Sequence, residues 1–281
     1  MGKKISFDVV EDQFARQVSP QNELSILLGM DSLSYMITNL QRQPLLLRAY
    51  QFTPDSPPEE ACADAIAQDD YLKAAYQKIR IAAVSPIFTL VPERLYNPAE
   101  KRTYLQEIAN LSYDKDIRSD ELRTAQARLV YALPQTMTNL IQNQWMGGQL
   151  FHATTAFLAG LLQRVSTPAA PTLYLQVYSG WLVAALVEGK NLLFVNSFQY
   201  LDAKDFLYFV LLVFDQYKLT PEETPVCITG QLIEQSEIYP LLRRYIRQVQ
   251  FLPPPDFIQL GTKLQQQPTY FHFNLFGLTA L

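Results

Sequence analysis

Residues 172–217 constrain the fold of this chain more than any other stretch. Three apolar segments with strand patterns follow one another there, at 173–178, 181–187 and 192–198. Ser179-Gly180 separates the first two segments, and the Gly-containing run 188–191 separates the second from the third. Short turns of this kind join antiparallel neighbours. The stretch therefore predicts a three-stranded antiparallel meander.

A strongly apolar helix is predicted directly after this meander, at 202–217. Asp202 is placed as its N-cap and Asp205 lies in its first turn, where the exposed N–H groups favour carboxylates. Every residue from 206 to 214 is apolar or aromatic. Because a helix without a polar face is normally covered on both sides, we expect a central, buried helix. A membrane span needs about 18 apolar residues, and Asp215 ends this run too early.

A similar three-strand pattern occurs earlier in the chain, at 24–30, 33–40 and 45–52. Placing Leu24 on Leu173 preserves the alternation of apolar positions, which indicates an internal duplication. The Pro-rich segment 166–171 separates the two halves. We therefore predict a polar, loosely held N-terminal arm at 1–20, a first lobe at 21–167 and a second lobe at 168–281.

Helices and strands alternate after each meander. In the first half we predict helix 56–80 with a break near 68–70, a strand run 81–91 interrupted by Pro86, helix 99–111, a charged loop 114–120, strand 127–133, helix 135–145 and strand 150–156. In the second half we predict strand 226–229, helix 234–247, strand 249–252 and an aromatic strand 269–276. The acidic residues of the first helix are spread around it without metal-ligand spacing, and they predict a solvated face: Glu59, Glu60, Asp64, Asp69 and Asp70.

The composition excludes several classes of protein. A net charge of −4 and a pI near 5.3, without a dense Lys/Arg cluster, argue against a nucleic-acid partner. Cys62 and Cys227 lie far apart in sequence, which indicates neither a disulfide framework nor a four-ligand zinc site. The first residues lack the apolar core of a secretory signal. We expect a cytoplasmic protein without a membrane partner.

The sequence carries no familiar catalytic signature. It has no G-x-S-x-G elbow, no H-E-x-x-H pair and no P-loop. His152 and His272 both stand in apolar, aromatic segments, a setting typical of hydrogen-bonded core or rim histidines. We therefore assign no catalytic residue and no metal ligand.

The order of the predicted elements and three local runs carry a family resemblance. A meander followed by helix, strand, helix and strand, given twice, resembles the paired ribonuclease-H-like lobes of actin-like proteins. The runs Leu192-Leu-Phe-Val-Asn-Ser-Phe-Gln-Tyr200, Asp205-Phe-Leu-Tyr208 and Pro225-Val-Cys-Ile-Thr-Gly230 resemble an uncharacterised bacterial family, the domain-of-unknown-function 3822 family. The resemblance covers most of residues 20–278. It implies an α/β, actin-like fold of duplicated ribonuclease-H-like lobes, each a mixed sheet flanked by helices.

The resemblance also implies a cleft between the lobes. Actin-like ATPases hold ATP and Mg²⁺ there between two hairpin turns, using small residues for close approach and an Asp in each turn. The corresponding positions in this chain form a remnant of such a cleft: Gly29, Asp31, Ser179, Gly180 and Gly230.

Three departures argue that this remnant does not bind ATP. Leu33 stands where those ATPases have Gly. The second turn has no carboxylate and carries two bulky aromatics, Tyr178 and Trp181. Gly230 stands alone where a pair of glycines would let the base approach.

Two functional hypotheses follow. The first is a non-catalytic, actin-like scaffold that binds another protein and needs no cofactor, with contacts expected at surface aromatics near the C-terminal strand and at the arm 1–20. The alternative is a nucleotide-driven switch or ATPase with Mg·ATP in the cleft. An unrecognised small-molecule site remains a third possibility.

Overall fold

The computed structural model describes residues 3–14, 20–54, 57–164 and 169–281. Fourteen strands are present within these ranges: β1 Lys3–Val10, β2 Glu23–Leu28, β3 Ser32–Thr38, β4 Pro44–Phe52, β5 Lys78–Ala83, β6 Phe88–Pro92, β7 Lys115–Leu122, β8 Ala127–Pro134, β9 Gln149–His152, β10 Thr172–Tyr178, β11 Trp181–Glu188, β12 Asn191–Gln199, β13 Val226–Gly230 and β14 Val249–Phe251. The α-helices of the same ranges are α1 Pro58–Gln68, α2 Asp70–Lys73, α3 Lys101–Gln106, α4 Gln135–Gln144, α5 Ala153–Leu162, α6 Ala203–Gln216, α7 Ile238–Tyr245 and α8 Phe273–Leu278.

Two sheets share one topology. The first has the strand order β1-β4-β3-β2-β5-β9, and the second has the order β12-β11-β10-β13-β14. In each sheet an antiparallel meander is extended by two parallel strands, because β5 pairs with β2 as β13 pairs with β10. The predicted duplication of a meander followed by parallel strands is therefore present, with β1 added at the edge of the first sheet.

The first sheet carries an insertion that the second lacks. Between β5 and β9 the chain forms a separate three-stranded antiparallel sheet, β6-β8-β7, with α3 packed on it. In the second half α7 alone lies between β13 and β14. The position of α7 corresponds to that of α4, which leads into β9.

Two short helices join the halves at the centre. Helix α5 follows β9 and is buried along its whole length, and α8 packs across it. A Cβ on Gly277 of α8 would collide with the carbonyl oxygen of Ala156, and one on Gly160 would lie 2.8 Å from the ring of Phe273. The two backbones therefore meet directly, which only glycine permits at these positions.

Helix α8 completes the core of the first lobe although it follows the second lobe in sequence. Its Leu275, Phe276 and Leu278 belong to a buried cluster with Met36 and Leu47 of the first sheet. The second lobe has its own core, in which α6 packs on β10, β11 and β13. The segment 273–278 thus lies against the first sheet, although the predicted division places it in the second lobe.

Several local predictions are wrong, and most errors have a tertiary cause. Residues 3–10 of the expected loose arm form β1, which pairs with β4. The helix expected to reach residue 80 ends earlier, because Lys78–Ala83 is a strand, and the expected charged loop 114–120 falls within β7. The expected strand 269–276 is a 3₁₀ turn followed by α8. Residues 166–168 of the proposed boundary 166–171 lie outside the described residues, and the boundary stays a prediction.

Helix α6 is also less central than its composition predicts. Asp202 is its N-cap as expected, and its side chain accepts from the backbone N–H groups of Lys204 and Asp205. However, Tyr208 is 61% exposed and Leu212 39% exposed. The helix therefore covers the outer face of the second sheet and has a solvent-facing stripe. No helix in the described part of the chain is long and apolar enough to cross a membrane.

Candidate functional site

A cavity of about 340 Å³ lies between the two lobes. Its walls come from the β2–β3 turn, the ends of β10 and β13, strand β1 and the segment before α8. The carboxyl ends of the central parallel strands of both sheets point into it, since Gly29 follows β2 and Ser179 follows β10. Ligands of α/β sheets bind at such strand ends. This inter-lobe cleft is the candidate site.

Four of the five predicted cleft residues line the cavity: Gly29, Asp31, Ser179 and Gly230. The fifth, Gly180, does not line it. Gly180 has φ +73° and forms the β10–β11 turn, where its carbonyl accepts from the N–H of Tyr200. The fold thus brings both turns together as expected, while the binding role of these residues stays a prediction.

The glycines of the cleft face atoms of their own chain. A Cβ on Gly29 would lie 2.5 Å from the Ser32 hydroxyl, and the Gly29 N–H donates to the Ser32 carbonyl at 2.8 Å. Gly230 has φ +85°, and a Cβ there would collide with the carbonyl oxygen of Val177. Gly29 and Gly230 are therefore needed for close packing of the backbone within their own lobes.

The bulky residues expected to obstruct the cleft are arranged differently. The side chain of Leu33 is buried in the core of the first lobe and does not line the cavity. Tyr178 does line it, with its hydroxyl accepting from Asn274 Nδ2 at 2.8 Å. Trp181 does not line it. Of the three side chains, Tyr178 alone narrows the cleft.

The cleft is nearly uncharged. Among the described residues that line it, Asp31 is the only acidic one, and none is Lys or Arg. The polar lining is otherwise neutral and includes four glutamines, Gln51, Gln176, Gln231 and Gln267, with several serines. Burial lowers the pKa of His272 to about 4, so this imidazole is also neutral at pH 7.

Two of these polar residues are deeply buried. Gln176 is 3% exposed and His272 is 8% exposed. Sequence patterns did not single out the glutamines, because they come from four separate elements that meet only in the folded chain. His272 was expected to be a hydrogen-bonded core or rim histidine of a strand, whereas it lies in a 3₁₀ segment and lines this cavity.

The expected solvated acidic face of the first helix is exposed at Glu60, Asp64 and Asp70, but the prediction is wrong at Asp69. Asp69 is only 4% exposed, and its Oδ2 accepts from Tyr35 Oη at 2.7 Å, Tyr50 Oη at 2.6 Å and Arg48 Nη1 at 3.1 Å. Burial, together with these bonds to Asp69, raises the pKa of both tyrosines. Asp69 is thus a structural anchor between α1 and the first sheet.

Another buried polar group ties the inserted sheet to α5. Asp120 of β7 accepts from the backbone N–H of His152 at 2.7 Å and from Thr155 Oγ1 at 2.6 Å. Tyr131 Oη donates to its other oxygen at 3.2 Å. Burial raises the pKa of Asp120 to about 6 although these bonds favour the carboxylate. The carboxylate was expected in a loop, and it instead joins two sheets.

His152 of the same group is a core histidine, as the sequence predicts. Its Nδ1 accepts from the N–H of Thr154 at 3.1 Å and caps α5, and its Nε2 donates to the Ser85 carbonyl at 2.9 Å. Burial lowers its pKa to about 4. Within the described residues, no group of three or more His, Cys, Asp and Glu side chains is arranged to hold a metal ion.

Comparison with known proteins supports the fold. A Bacteroides thetaiotaomicron protein with an actin-like ATPase fold and unknown function superposes with a TM-score of 0.76 at 19% identity, over 90% of this chain and 96% of that one. The PilM-PilN type IV pilus biogenesis complex matches with a TM-score of 0.57 at 15% identity, over 93% of this chain and 98% of that one. No curated protein sequence matches. The fold is actin-like.

The family is shown by the sequence itself. The family model described as "Protein of unknown function (DUF3822)" matches residues 11–249, which include the inserted sheet and every strand of the two main sheets except β1 and most of β14. This agrees with the resemblance seen in the three local runs. The chain belongs to the domain-of-unknown-function 3822 family.

Proposed function

We propose that this protein acts by binding another protein, and that its inter-lobe cleft does not serve as a Mg·ATP site. The observation that carries the proposal is the charge of the cleft, whose described lining contains Asp31 and no Lys or Arg. A triphosphate is strongly anionic, and proteins hold it with cationic side chains, Mg²⁺ and free backbone N–H groups. The neutral imidazole of His272 adds no positive charge at pH 7.

The geometry of the turns supports the same proposal. The N–H of Gly29 already donates within its own turn, and the Ser32 hydroxyl fills the space beside it. Tyr178 occupies the facing turn, where an ATPase of this fold would supply small residues. The Gly29 N–H is therefore already satisfied, and Tyr178 occupies space beside the second turn that phosphate oxygens would need.

A protein partner is supported by the comparison. The PilM-PilN match is an actin-like fold within a protein complex. That likeness shows the fold alone. It supports the proposal because a protein of this fold occurs there together with a protein partner. We expect the partner to bind without nucleotide.

A nucleotide switch is the second candidate, and one observation favours it. The carboxylate of Asp31 lines the cleft and has no hydrogen-bond or ion-pair partner among the described residues. Such a group is free to position a hydrated cation.

Calorimetric titration separates the two candidates. We expect neither Mg·ATP nor Mg·ADP to bind the purified chain with a dissociation constant of about 10 μM or tighter. Tight binding that Asp31→Ala abolishes, and that the exposed control Asp215→Ala leaves intact, would favour the switch.

The partner is identified by crosslinking in the native host and then tested with purified components. We expect it to co-elute with this chain in a fixed ratio in size-exclusion chromatography without nucleotide. Hydrolysis of ATP by the purified chain, with no protein partner recovered, would contradict the proposal.

A further inference from the structure

Two deeply buried side chains of the cleft, Gln176 and His272, carry polar atoms without a hydrogen-bond partner among the described residues. The single hydroxyl proton of Thr229 has two acceptors in reach, Gln176 Oε1 at 2.6 Å and the Leu175 carbonyl at 3.3 Å. The shorter bond, to Oε1, orients the amide and leaves its Nε2 beside Gly230. This Nε2 has no acceptor in the described part of the chain. The imidazole of His272 likewise has no hydrogen-bond partner there, and it packs against the ring of Phe7 at 4.6 Å.

Unpaired polar groups at such depth are informative. Gln176 Nε2 and the His272 nitrogens are not among the fully enclosed unpaired atoms of the described chain, so they are open to the cavity and their hydrogen bonds are completed from it. Gln176 lies in β10 and His272 in the segment before α8, and both line one cavity. Their free groups therefore point to a ligand that completes their hydrogen bonds.

The rest of the lining restricts the chemistry of that ligand. Phe7, Phe271, Leu27 and Met30 give the cavity apolar and aromatic walls. Its volume of about 340 Å³ lies at the lower end of the range for small-molecule sites, roughly 300–1,000 Å³. The single charge, on Asp31, repels anions. A small, uncharged compound with a flat ring fits these properties.

We infer that the cleft binds a small, uncharged ring compound with a lactam edge, in which a ring carbonyl and a ring N–H are adjacent. Gln176 Nε2 donates to the carbonyl, the unprotonated nitrogen of His272 accepts from the N–H, and the aromatic walls stack on the ring. The same site disfavours a phosphorylated form of the compound. This inference does not depend on the proposed protein partner, since it concerns a different ligand of the molecule.

Uridine is a suitable probe, because it is neutral at pH 7 and carries a lactam edge. We compare it with 3-methyluridine, which lacks the ring N–H, and with UTP, which adds the triphosphate. Calorimetry on the full chain at pH 7 is expected to give a dissociation constant for uridine below about 1 mM. Both analogues are expected to bind at least about tenfold more weakly, for UTP with or without Mg²⁺.

Two variants test the assigned contacts. His272→Phe keeps an aromatic ring against Phe7 and removes the imidazole, and Gln176→Leu removes the amide. Each is expected to weaken uridine binding about tenfold, the effect of losing one hydrogen bond. The control Tyr208→Ala changes an exposed side chain of α6 and is expected to bind uridine as the wild type does.

The inference is overturned by any of three results. These are the absence of uridine binding up to about 5 mM, binding of UTP as tight as that of uridine, or unchanged affinity in His272→Phe. If Gln176→Leu fails to fold, as judged by circular dichroism, the uridine affinity of His272→Phe tests the inference by itself, because this variant keeps an aromatic ring in the same place. Detection of a protein partner, or failure to find one, changes none of these outcomes.

Discussion

Helix α5 and the central part of helix α6, residues 206–214, are both strongly apolar, yet they occupy opposite places in the molecule. Every residue of α5 is buried between the two sheets, whereas α6 lies on the outer face of the second sheet with Tyr208 and Leu212 exposed. Their caps differ in the same way, because α5 begins at buried His152 and α6 at exposed Asp202. Apolar composition alone therefore does not identify a central helix.

The two helices differ in residue size at the contact. Helix α5 contains alanines, threonines and Gly160, which allow the backbone of α8 to approach. Helix α6 carries large aromatics on the face toward the sheet, where Phe206 and Phe214 fill the space above β10 and β11. Small residues at the crossing point, together with an apolar sequence, mark the buried helix more reliably.

The largest expected effect compares the aromatic anchors of the two helices. Phe157 of α5 packs edge-on against Phe273 at 5.9 Å, and Phe214 of α6 is equally buried in the second core. Replacing either with Ala is expected to lower the free energy of unfolding by about 3–5 kcal/mol. Urea denaturation measures this. A loss below about 1 kcal/mol for Phe214→Ala would place α6 on the surface altogether.

Acid is expected to destabilise the folded chain through His152, the N-cap of α5. The pKa of His152 is about 4 in the folded state and near 6.5 when exposed, so the unfolded chain binds more protons between these values. Stability is therefore present above about pH 6.5 and is lost as the pH falls towards 4, by roughly 3 kcal/mol at most for this group.

The variant His152→Asn keeps a side chain that can cap α5 and removes the titration. Urea denaturation at pH 7, 6 and 5 is expected to show a shallower acid loss than in the wild type. His272, whose folded pKa is also about 4, contributes to the acid loss that remains. Asp120 acts in the opposite direction, because its raised pKa makes the folded chain bind a proton more readily than the unfolded chain. An unchanged slope would show that α5 does not depend on neutral His152.

The crossing of α5 and α8 gives the next effect. Gly277→Ala places a methyl group against the Ala156 carbonyl and is expected to cost about 1–3 kcal/mol. Gly277 has no positive φ, so alanine brings no backbone strain there and the cost comes from the contact. Gly147→Ala shows the cost of strain alone, because its φ is +81° and no atom lies within 4 Å of the new Cβ. A Gly277→Ala chain as stable as the wild type would contradict the close contact.

The smallest effects belong to the exposed parts of α6. Asp202→Ala removes two capping hydrogen bonds and is expected to cost about 1 kcal/mol. Tyr208→Ala removes a mostly exposed ring and is expected to change stability by less than about 0.5 kcal/mol. A larger loss at Tyr208 would mean that the outer stripe of α6 is covered in the folded protein.

Local sequence predicted the fold where neighbours in the chain are neighbours in space. The meanders, the cap at Asp202 and the turn at Ser179-Gly180 are of this kind, since alternation and turn residues act over a few positions. The strand predicted at residues 269–276 is wrong because their aromatic pattern is typical of a strand, whereas packing against α5 stabilises a helix. The loop predicted at residues 114–120 is wrong because β7 is rich in charged residues and mostly half-buried, a pattern that resembles a loop in sequence.

The site was predicted in part for the same reason. Gly29, Asp31 and Ser179 stand in turns whose position follows from the meander. Gln176 and His272 were not assigned to the cleft, because one sits within a strand and the other in a segment mistaken for a strand. Their importance lies in hydrogen bonds they do not make within the chain, and that property has no local sequence signal.

The contact of α8 with the first sheet also has a kinetic consequence for synthesis on the ribosome. Met36 and Leu47 are covered by Leu275 and Phe276, which are translated after every strand of both sheets. The first lobe therefore leaves the ribosome with part of its apolar surface still open to water. During that interval the nascent chain is a substrate for chaperones.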